Sequence, residues 1–546
     1  MENLFERVQR HAEASEARIA LSKWSPGHGF VETSYGELLR RAKHFAGVLS
    51  RLTPPQTLVP MLMAKSADSV ACMLAATALR RPFCFVNTKY RGPQIAAVLA
   101  AADAPLCIAD AAGLLALKQA WKDQPTIAQT TWVVTGGAVD DLRRTADVIV
   151  LEDPDRVAEP PVVTPQHAGE SVAAACLFTS GSTGQPKGVL IDAADLMGRV
   201  AAEIAWFDLT ADDVLLSILP FSFDVGLNQL MTALAVGAEL VILESWLAAD
   251  ILRTAEARKV TGVSAVPSIW QDMINAGARF HTDTRHAALR YITISGGSLP
   301  RGALQRLPEV VGAAGIFKTY GQTEAFRATS LRPDEFHRKL DSVGKPFPGA
   351  RVYVVRDDGT RCDVAEVGEV VHTGLGVMMG YLGDTVGSTK LRPNPFQGTD
   401  DPSPFAVFTG DMGYLDGEGF LFLKGRRDSM MKVMGNRVYP QEVTNQIVTI
   451  PGVRDAVVVG VTRADGQTRL VAFLTAAPGV DVSEGAVRRM LSAKLPAFMI
   501  PKEIVFVGHL PRTPSGKVDE RRLVEGLAPA GSPSTPAAAD PTVQAG

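Results

Sequence analysis

The densest chemistry in the chain is a run of hydroxyls and glycines closed by a lysine, Leu177-Phe-Thr-Ser-Gly-Ser-Thr-Gly-Gln-Pro-Lys-Gly188. Gly181 and Gly184 let backbone N–H groups approach an anion. The hydroxyls of Thr179, Ser180, Ser182 and Thr183 can donate to phosphate oxygens, and Lys187 adds a positive charge. The run reads as a phosphate cradle. It is not a Walker A loop, which requires Gly-Lys-Ser/Thr in sequence, because Pro186 precedes the lysine and Gly188 follows it. A flexible surface Gly/Ser loop would account for a three-residue match but not for one this long.

Further motifs follow in order. Ser295-Gly-Gly-Ser-Leu-Pro300 succeeds an apolar run, and Lys318-Thr-Tyr-Gly-Gln-Thr-Glu324 ends in a carboxylate. Phe408-Thr-Gly-Asp-Met-Gly-Tyr414 and Lys424-Gly-Arg-Arg-Asp428 carry charges in glycine-rich turns. Lys432-Val-Met-Gly-Asn-Arg-Val-Tyr-Pro-Gln-Glu442 and Pro511-Arg-Thr-Pro-Ser-Gly-Lys517 complete the set. Singly these have bland readings: a strand-to-helix turn at Gly296, a turn aspartate at Asp411, a solvated lysine at Lys517. As an ordered series from about Tyr35 to Leu523 the chain resembles the adenylate-forming superfamily of acyl-CoA synthetases, adenylation domains of nonribosomal peptide synthetases and firefly-type luciferases.

The resemblance implies a role for each residue. Thr179, Ser180, Gly181, Ser182, Thr183, Gly184 and Lys187 would hold ATP phosphates, and Gly296 and Gly297 would line the adenine pocket. Tyr320 would stack on adenine beside Gly321, and Thr323 would bond phosphate. Glu324 would hold Mg2+, a hard cation that takes oxygen ligands. Asp411 would accept the ribose hydroxyls, and Arg426 would contact ribose or phosphate. Asp428 would be the hinge, Gly435 would clear the pantetheine arm in a thioester-forming state, and Lys517 would be the lysine required for adenylation. The implied activity is an ATP-dependent, AMP-forming ligase that makes an acyl-adenylate and passes the acyl group to CoA or to a carrier protein's phosphopantetheine. A luciferase-like oxygenase shares the adenylation motifs, and oxygen uptake would reveal it.

The acid is addressed by Leu219-Pro-Phe-Ser-Phe-Asp-Val-Gly-Leu-Asn-Gln229. Many acyl-CoA synthetases carry a His where this chain has Phe223. Asp224 matches an aspartate that pairs with the substrate ammonium in amino-acid adenylation domains, although an aspartate here could instead cap the following helix. Two readings stay open, an acyl ligase and a stand-alone amino-acid adenylation enzyme loading a separate carrier protein. Phe223, Asp224, Asn228, Ser295, Thr319 and Arg327 form the expected substrate pocket. Arg327 there would favour a polar or anionic acid.

Placing these motifs requires a scaffold, and the apolar runs supply one. Ala174 to Phe178, Leu240 to Leu243, Gly262 to Val266, Tyr291 to Ile294 and Gly315 to Phe317 are short and separated by helix-length segments, which predicts parallel sheets covered on both faces. The fold class is α/β: a large N-terminal domain of parallel-rich sheets flanked by helices over 1–427, plus a small mobile α+β C-terminal domain over 428–527. The Ala/Pro/Ser-rich stretch 528–546 reads as a disordered tail.

Composition sets the outer limits. With 55 Lys+Arg against 58 Asp+Glu, there is no basic excess for neutralising a nucleic acid. Cys72, Cys84, Cys107, Cys176 and Cys362 are widely spaced, so neither a disulfide framework nor a zinc site follows. No apolar run approaches the roughly 18 residues of a membrane span, and the charged start does not read as a secretory signal. The expectation is a cytoplasmic enzyme without a membrane span. No serine-bearing phosphopantetheine-attachment motif is found, so CoA or a separate carrier is the expected acceptor.

Overall fold

In the computed structural model the apolar runs become the strands of two large sheets. The described residues are 2–117, 120–121, 123–135, 148–150, 172–180, 186–280, 288–383, 389–433, 436–462, 468–477, 479–513 and 518–527. The first sheet has eight strands, with Val59–Leu62, Phe83–Phe85, Leu106–Asp110 and Thr131–Thr135 as parallel neighbours in its interior. Val59–Leu62 and Phe83–Phe85 are buried at every residue, which explains why they read as continuous apolar runs rather than alternating ones. Toward one edge the sheet turns antiparallel, where Ala173–Ser180 pairs with Pro186–Asp192 and the latter with Gly380–Tyr381.

The second sheet has nine strands. Glu239–Ile242, Val214–Ser217, Gly262–Ala265, Tyr291–Ile294 and Gly315–Gln322 are consecutive parallel neighbours. The chain then folds back as Ala325–Leu331, antiparallel to the last of these. Helices Tyr35–Leu52, Ala67–Ala78 and Asp224–Val236 share one apolar core with residues of both sheets, and Leu38, Val70, Leu74, Leu230 and Leu234 there are fully buried. Helix signals match their chemistry. Asp192 caps Ala193–Trp206 by accepting from the backbone N–H groups of Ala194 and Asp195, and Gly237 ends Asp224–Val236 in the left-handed conformation.

Lys65 ties the two sheets. It follows Val59–Leu62 of the first sheet, and its buried ammonium donates to the carbonyls of Ser217 at 2.7 Å and Leu243 at 2.8 Å, at the ends of two strands of the second. Burial pulls its pKa down to about 7.

The parallel-rich expectation leaves out a third, antiparallel sheet of five strands. Gly368–Gly374 pairs with Ala350–Val355 and Phe405–Leu415, which in turn pairs with Leu391–Pro393 and Leu421–Arg426. Contacts divide the chain into two units, Met1–Asp428 and Ser429–Gly546. In the second unit Val453–Thr462 and Thr468–Ala476 pair antiparallel, and Glu503–Phe506 joins in parallel. Helices Pro440–Ile447 and Glu484–Ser492 bury Val443, Ile447, Val487 and Leu491 in a core with residues of this sheet. Among the described residues no helix is long and apolar enough to cross a membrane.

Candidate functional site

The hairpin formed by Gly315–Gln322 and Ala325–Leu331 presents the Tyr-Gly-Gln-Thr-Glu motif at its tight end. A Cβ on Gly321 would lie 2.4 Å from the Arg327 nitrogen and 2.9 Å from the Ala325 carbonyl oxygen, so only glycine lets the two strands close. Its demonstrable part is therefore to shape the turn. The neighbouring side chains reach Asp411 on Phe405–Leu415. The Tyr320 hydroxyl and the Gln322 amide each donate to Asp411 Oδ2 at 2.6 Å, and Arg426 Nη1 lies 3.2 Å from Oδ1. Burial, reinforced by the adjacent Asp411 carboxylate, pushes the Tyr320 phenol well above its ordinary range, so it remains a donor. Burial works against the Arg426 charge, but two 3.2 Å contacts to Asp428 and the nearby Asp411 carboxylate outweigh it and lift the pKa. Asp411 is thus an acceptor already oriented by three donors.

Glu324, at the other end of the turn, is buried. The Lys390 ammonium and the Tyr381 hydroxyl both donate to its Oε1 at 2.7 Å. Burial alone would raise the carboxyl, but Lys390 and the Tyr381 bond outweigh it and hold the group below its ordinary range, hence ionised. Tyr381 connects this carboxylate to the hairpin of Ala173–Ser180 and Pro186–Asp192, since the Lys187 ammonium sits 5.5 Å over its ring. Lys187 is the strand partner of Thr179. The structure therefore brings together Thr179, Lys187 and Glu324, which lie far apart in sequence. Among the described residues no cluster of three or more His, Cys, Asp or Glu could hold a metal by itself. One ionised carboxylate does fit Mg2+ shared with phosphate oxygens, a cation that often uses only one or two protein carboxylates.

The apolar wall lies at the ends of two neighbouring parallel strands. Gly296 adopts φ +83°, and a Cβ there would stand 3.2 Å from the Phe223 ring; one on Gly297 would meet Pro267 at 3.4 Å. Absence of side chains at this pair keeps the surface beside Phe223 open to a flat group. Behind it, buried Ser295 and Thr319 share a 2.6 Å hydrogen bond, and Thr319 donates further to the Ile294 carbonyl. That mutual bond makes them a supporting pair. Asp224 opens its helix at the first position rather than capping it, and its Oδ2 accepts from the Thr323 hydroxyl at 3.4 Å.

Arg327 differs from the expectation that its charge would favour an anionic acid. Arg327 is 5% exposed, and its Nε lies 2.5 Å from Glu203 Oε1, a carboxylate that is itself 4% exposed. Burial drives Glu203 upward against the opposing pull of Arg327. The guanidinium, packed over the rings of Phe207, Phe326 and Phe347, is neutralised and offers no unopposed charge to an anionic acid. Asn228 lies on the same buried polar group, with its amide 3.5 Å from Thr232, which donates to Glu203.

Gly181, Ser182, Thr183, Gly184, Gly435 and Lys517 lie outside the described residues, as does the side chain of Ser180. Glu203, Gln322, Tyr381 and Lys390 escape sequence reasoning altogether. Only Gln322 sits inside a motif, at its variable position.

The α/β unit thus combines two large parallel-rich sheets and a smaller antiparallel one with the Ala173–Ser180/Pro186–Asp192 hairpin, an ionised Glu324 and an oriented Asp411. The sequence profile of the AMP-binding enzyme matches residues 8–382, and that of the AMP-binding enzyme C-terminal domain matches residues 442–517. The chain belongs to this family of adenylate-forming, AMP-forming ligases. Indoleacetate–CoA ligase of Aromatoleum aromaticum is 29% identical over 532 residues, covering 95% of this chain and 98% of that one. D-alanine–D-alanyl carrier protein ligase of Bacillus licheniformis is 32% identical over 360 residues, 64% of this chain and 70% of the relative. Against a plipastatin synthase polypeptide of Bacillus subtilis the match is 29% over 381 residues, and there the chain spans only 10% of the relative's length. Among solved structures, an amide bond synthetase from Marinactinospora thermotolerans superposes with a TM-score of 0.80 at 23% identity, covering 95% of this chain and 99% of that one. That likeness is one of fold.

Proposed function

We propose that this protein activates a small carboxylic acid with ATP and transfers the acyl group to a thiol, that of CoA or of a separate carrier protein. The observation that carries the reading is the convergence of Tyr320, Thr323, Glu324 and Asp411 around one hairpin end, with Lys187 approaching from another sheet. A carboxylate is a poor acyl donor because oxide would be its leaving group. Its oxygen attacks the α-phosphorus of ATP, the bond to pyrophosphate breaks, and AMP becomes the leaving group for the second step. Since one anion must approach another, catalysis here is chiefly electrostatic. Asp411 accepts the ribose hydroxyls in place of its present donors, Tyr320 covers the base opposite the Gly296–Gly297 wall, and Thr323 turns its hydroxyl from Asp224 to phosphate. Glu324 would hold Mg2+, which would supply charge neutralisation at the phosphates. Lys517 supplies the remaining positive charge at the reacting groups, and the second unit exchanges the Lys517 and Gly435 segments between the two steps about a hinge at Asp428.

The acyl-ligase reading ranks above the amino-acid one because Asp224 is only half-buried, so its carboxylate does not require a substrate ammonium as partner. The full-length relation to a CoA ligase supports the same ranking. The test is hydroxamate trapping across amino, aryl, short and long aliphatic acids, followed by CoA, a phosphopantetheinylated carrier and a free amine as acceptors. Trapping with amino acids alone would favour the alternative, an amino-acid adenylation enzyme loading a separate carrier. An amide product without thioester would make the acceptor an amine.

A further inference from the structure

Lys390 lies in none of the sequence motifs and takes no part in the mechanism proposed above, yet it joins the two carboxylates of the site. It stands immediately before the strand Leu391–Pro393, and its carbonyl accepts from the Phe408 N–H at 2.8 Å, which anchors it on Phe405–Leu415, the strand that carries Asp411. From there its side chain reaches the hairpin end of the second sheet. The ammonium donates to Glu324 Oε1 at 2.7 Å and to Gln322 Oε1 at 3.0 Å. The Gln322 amide donates in turn to Asp411 Oδ2 at 2.6 Å and to the Thr409 carbonyl at 3.0 Å. One hydrogen-bonded chain thus runs from Glu324 through Lys390 and Gln322 to Asp411. Chemistry fixes its direction: an ammonium only donates and an ionised carboxylate only accepts, so the amide turns its oxygen to Lys390 and its nitrogen to Asp411. The side chain of Lys390 is 27% exposed and that of Glu324 9%, so water competes little for the bridge. A lysine placed only to neutralise Glu324 would need neither the second bond to Gln322 nor the anchor beside Asp411.

We propose that Lys390 is a positioning residue for adenylation, holding the Glu324 carboxylate at a fixed place relative to Asp411. The inference rests on the ligase reading above, in which ribose hydroxyls meet Asp411 and Glu324 serves the phosphates of the same ATP. The separation of the two carboxylates must then match the separation of ribose and phosphates within one molecule. A free glutamate side chain samples several rotamers. The Lys390 ammonium and the Tyr381 hydroxyl, both on Oε1, remove that freedom before ATP arrives. Gln322 keeps the Thr409 carbonyl as an acceptor, so the chain stays anchored when ribose hydroxyls take over Asp411. Lys390 acts through Glu324 and Gln322 rather than on the reacting atoms.

The test separates the half-reactions. Lys390→Met should lower kcat for ATP–pyrophosphate exchange at least about 10-fold, because a small misplacement of a group that meets the transition state is costly, while KM for the acid stays within a few-fold. Thioester formation from presynthesised acyl-adenylate needs no triphosphate and should stay within a few-fold of wild type. Gln322→Leu breaks the chain without touching the charge. Added to Lys390→Met, it should cost no more than about 3-fold beyond Lys390→Met alone, because both changes cut one chain. A binding readout stands beside the rates: Mg2+ should raise the thermal midpoint of wild type bound to α,β-methylene-ATP, and Lys390→Met should lose most of that rise. Unaltered exchange in Lys390→Met, equal loss of both half-reactions, multiplicative losses in the double variant or an undiminished Mg2+ effect each overturn the positioning role while leaving the ligase standing. If Lys390→Met does not fold, Gln322→Leu decides alone: it should show the same split between half-reactions, and an unaltered kcat overturns the role. No exchange by wild type with any acid overturns the ligase reading and this inference together.

Discussion

Asp411 is the residue on which the site's donors converge, and its value as an acceptor can be measured. Tyr320, Gln322 and Arg426 hold the carboxylate in place, and on the proposed function a pair of ribose hydroxyls replaces donors among these. Asp411→Asn keeps the shape but replaces one acceptor oxygen with a donor and removes the charge. Hydrogen bonds to charged groups contribute about 1.5–3 kcal/mol, so KM for ATP should rise roughly 10- to 100-fold while KM for the acid stays within a few-fold. An equal rise in both would mean general disruption instead. Glu324→Gln should lower the adenylation rate on the order of 10²-fold and shift the Mg2+ titration to higher concentration; an unmoved titration would detach Glu324 from the metal. The motif residues were legible because each group is contiguous in sequence. Lys390 and Tyr381 were not, because they meet Glu324 from 66 and 57 residues away and no local pattern marks them. The pairing of Arg327 was not legible, since its partner Glu203 lies on a helix whose surface pattern gives no hint of a buried carboxylate.

Elements divide by how many faces they bury. The parallel strands Gly262–Ala265 and Tyr291–Ile294 are buried throughout, and their mostly apolar runs, broken only by Ser264 and Thr293, announce them. Gly368–Gly374 is just as buried, with Val370 in one apolar cluster and Val371 in another, yet it belongs to an antiparallel sheet. A short run buried on both faces does not reveal its pairing direction, and glycines and a histidine break its apolar signature. That histidine has a pH consequence. His372 is fully buried, and burial lowers its pKa to about 4 despite the 2.9 Å contact between Nε2 and the Leu375 carbonyl. Because the folded value lies below the unfolded one of about 6.5, the unfolded chain binds more protons between those limits. His372 therefore costs stability as pH falls through that window, with a slope approaching about 1.4 kcal/mol per pH unit. In urea unfolding, His372→Gln should lose stability less steeply than wild type from about pH 6.5 to about 4.5, inside that window. Parallel profiles for the two proteins would show that the imidazole is not the titrating group.

At the scale of the whole molecule the two reactions make incompatible demands. Adenylation needs positive charge where the carboxylate meets the α-phosphorus, whereas thioester formation needs that approach open to a thiol. One fixed surface cannot do both, and hinge exchange between units is a common solution. The two units, Met1–Asp428 and Ser429–Gly546, have separate apolar cores. Glu324, Asp411 and Tyr320 belong to the first unit, and Lys517 and Gly435 to the second. This division makes the half-reactions separable by mutation. On the proposed role of Lys517 in the first step alone, Lys517→Ala should lower ATP–pyrophosphate exchange on the order of 10²-fold or more. Thioester formation from presynthesised acyl-adenylate and CoA bypasses that step and should stay within a few-fold of wild type. On the proposed role of Gly435 beside the pantetheine arm, Gly435→Leu should do the reverse, sparing exchange while blocking the thiol step. The pair forms a double dissociation that neither a folding defect nor a single shared site can imitate. Equal loss of both half-reactions in Lys517→Ala would place that lysine in a common step and remove the reason for the second unit to move.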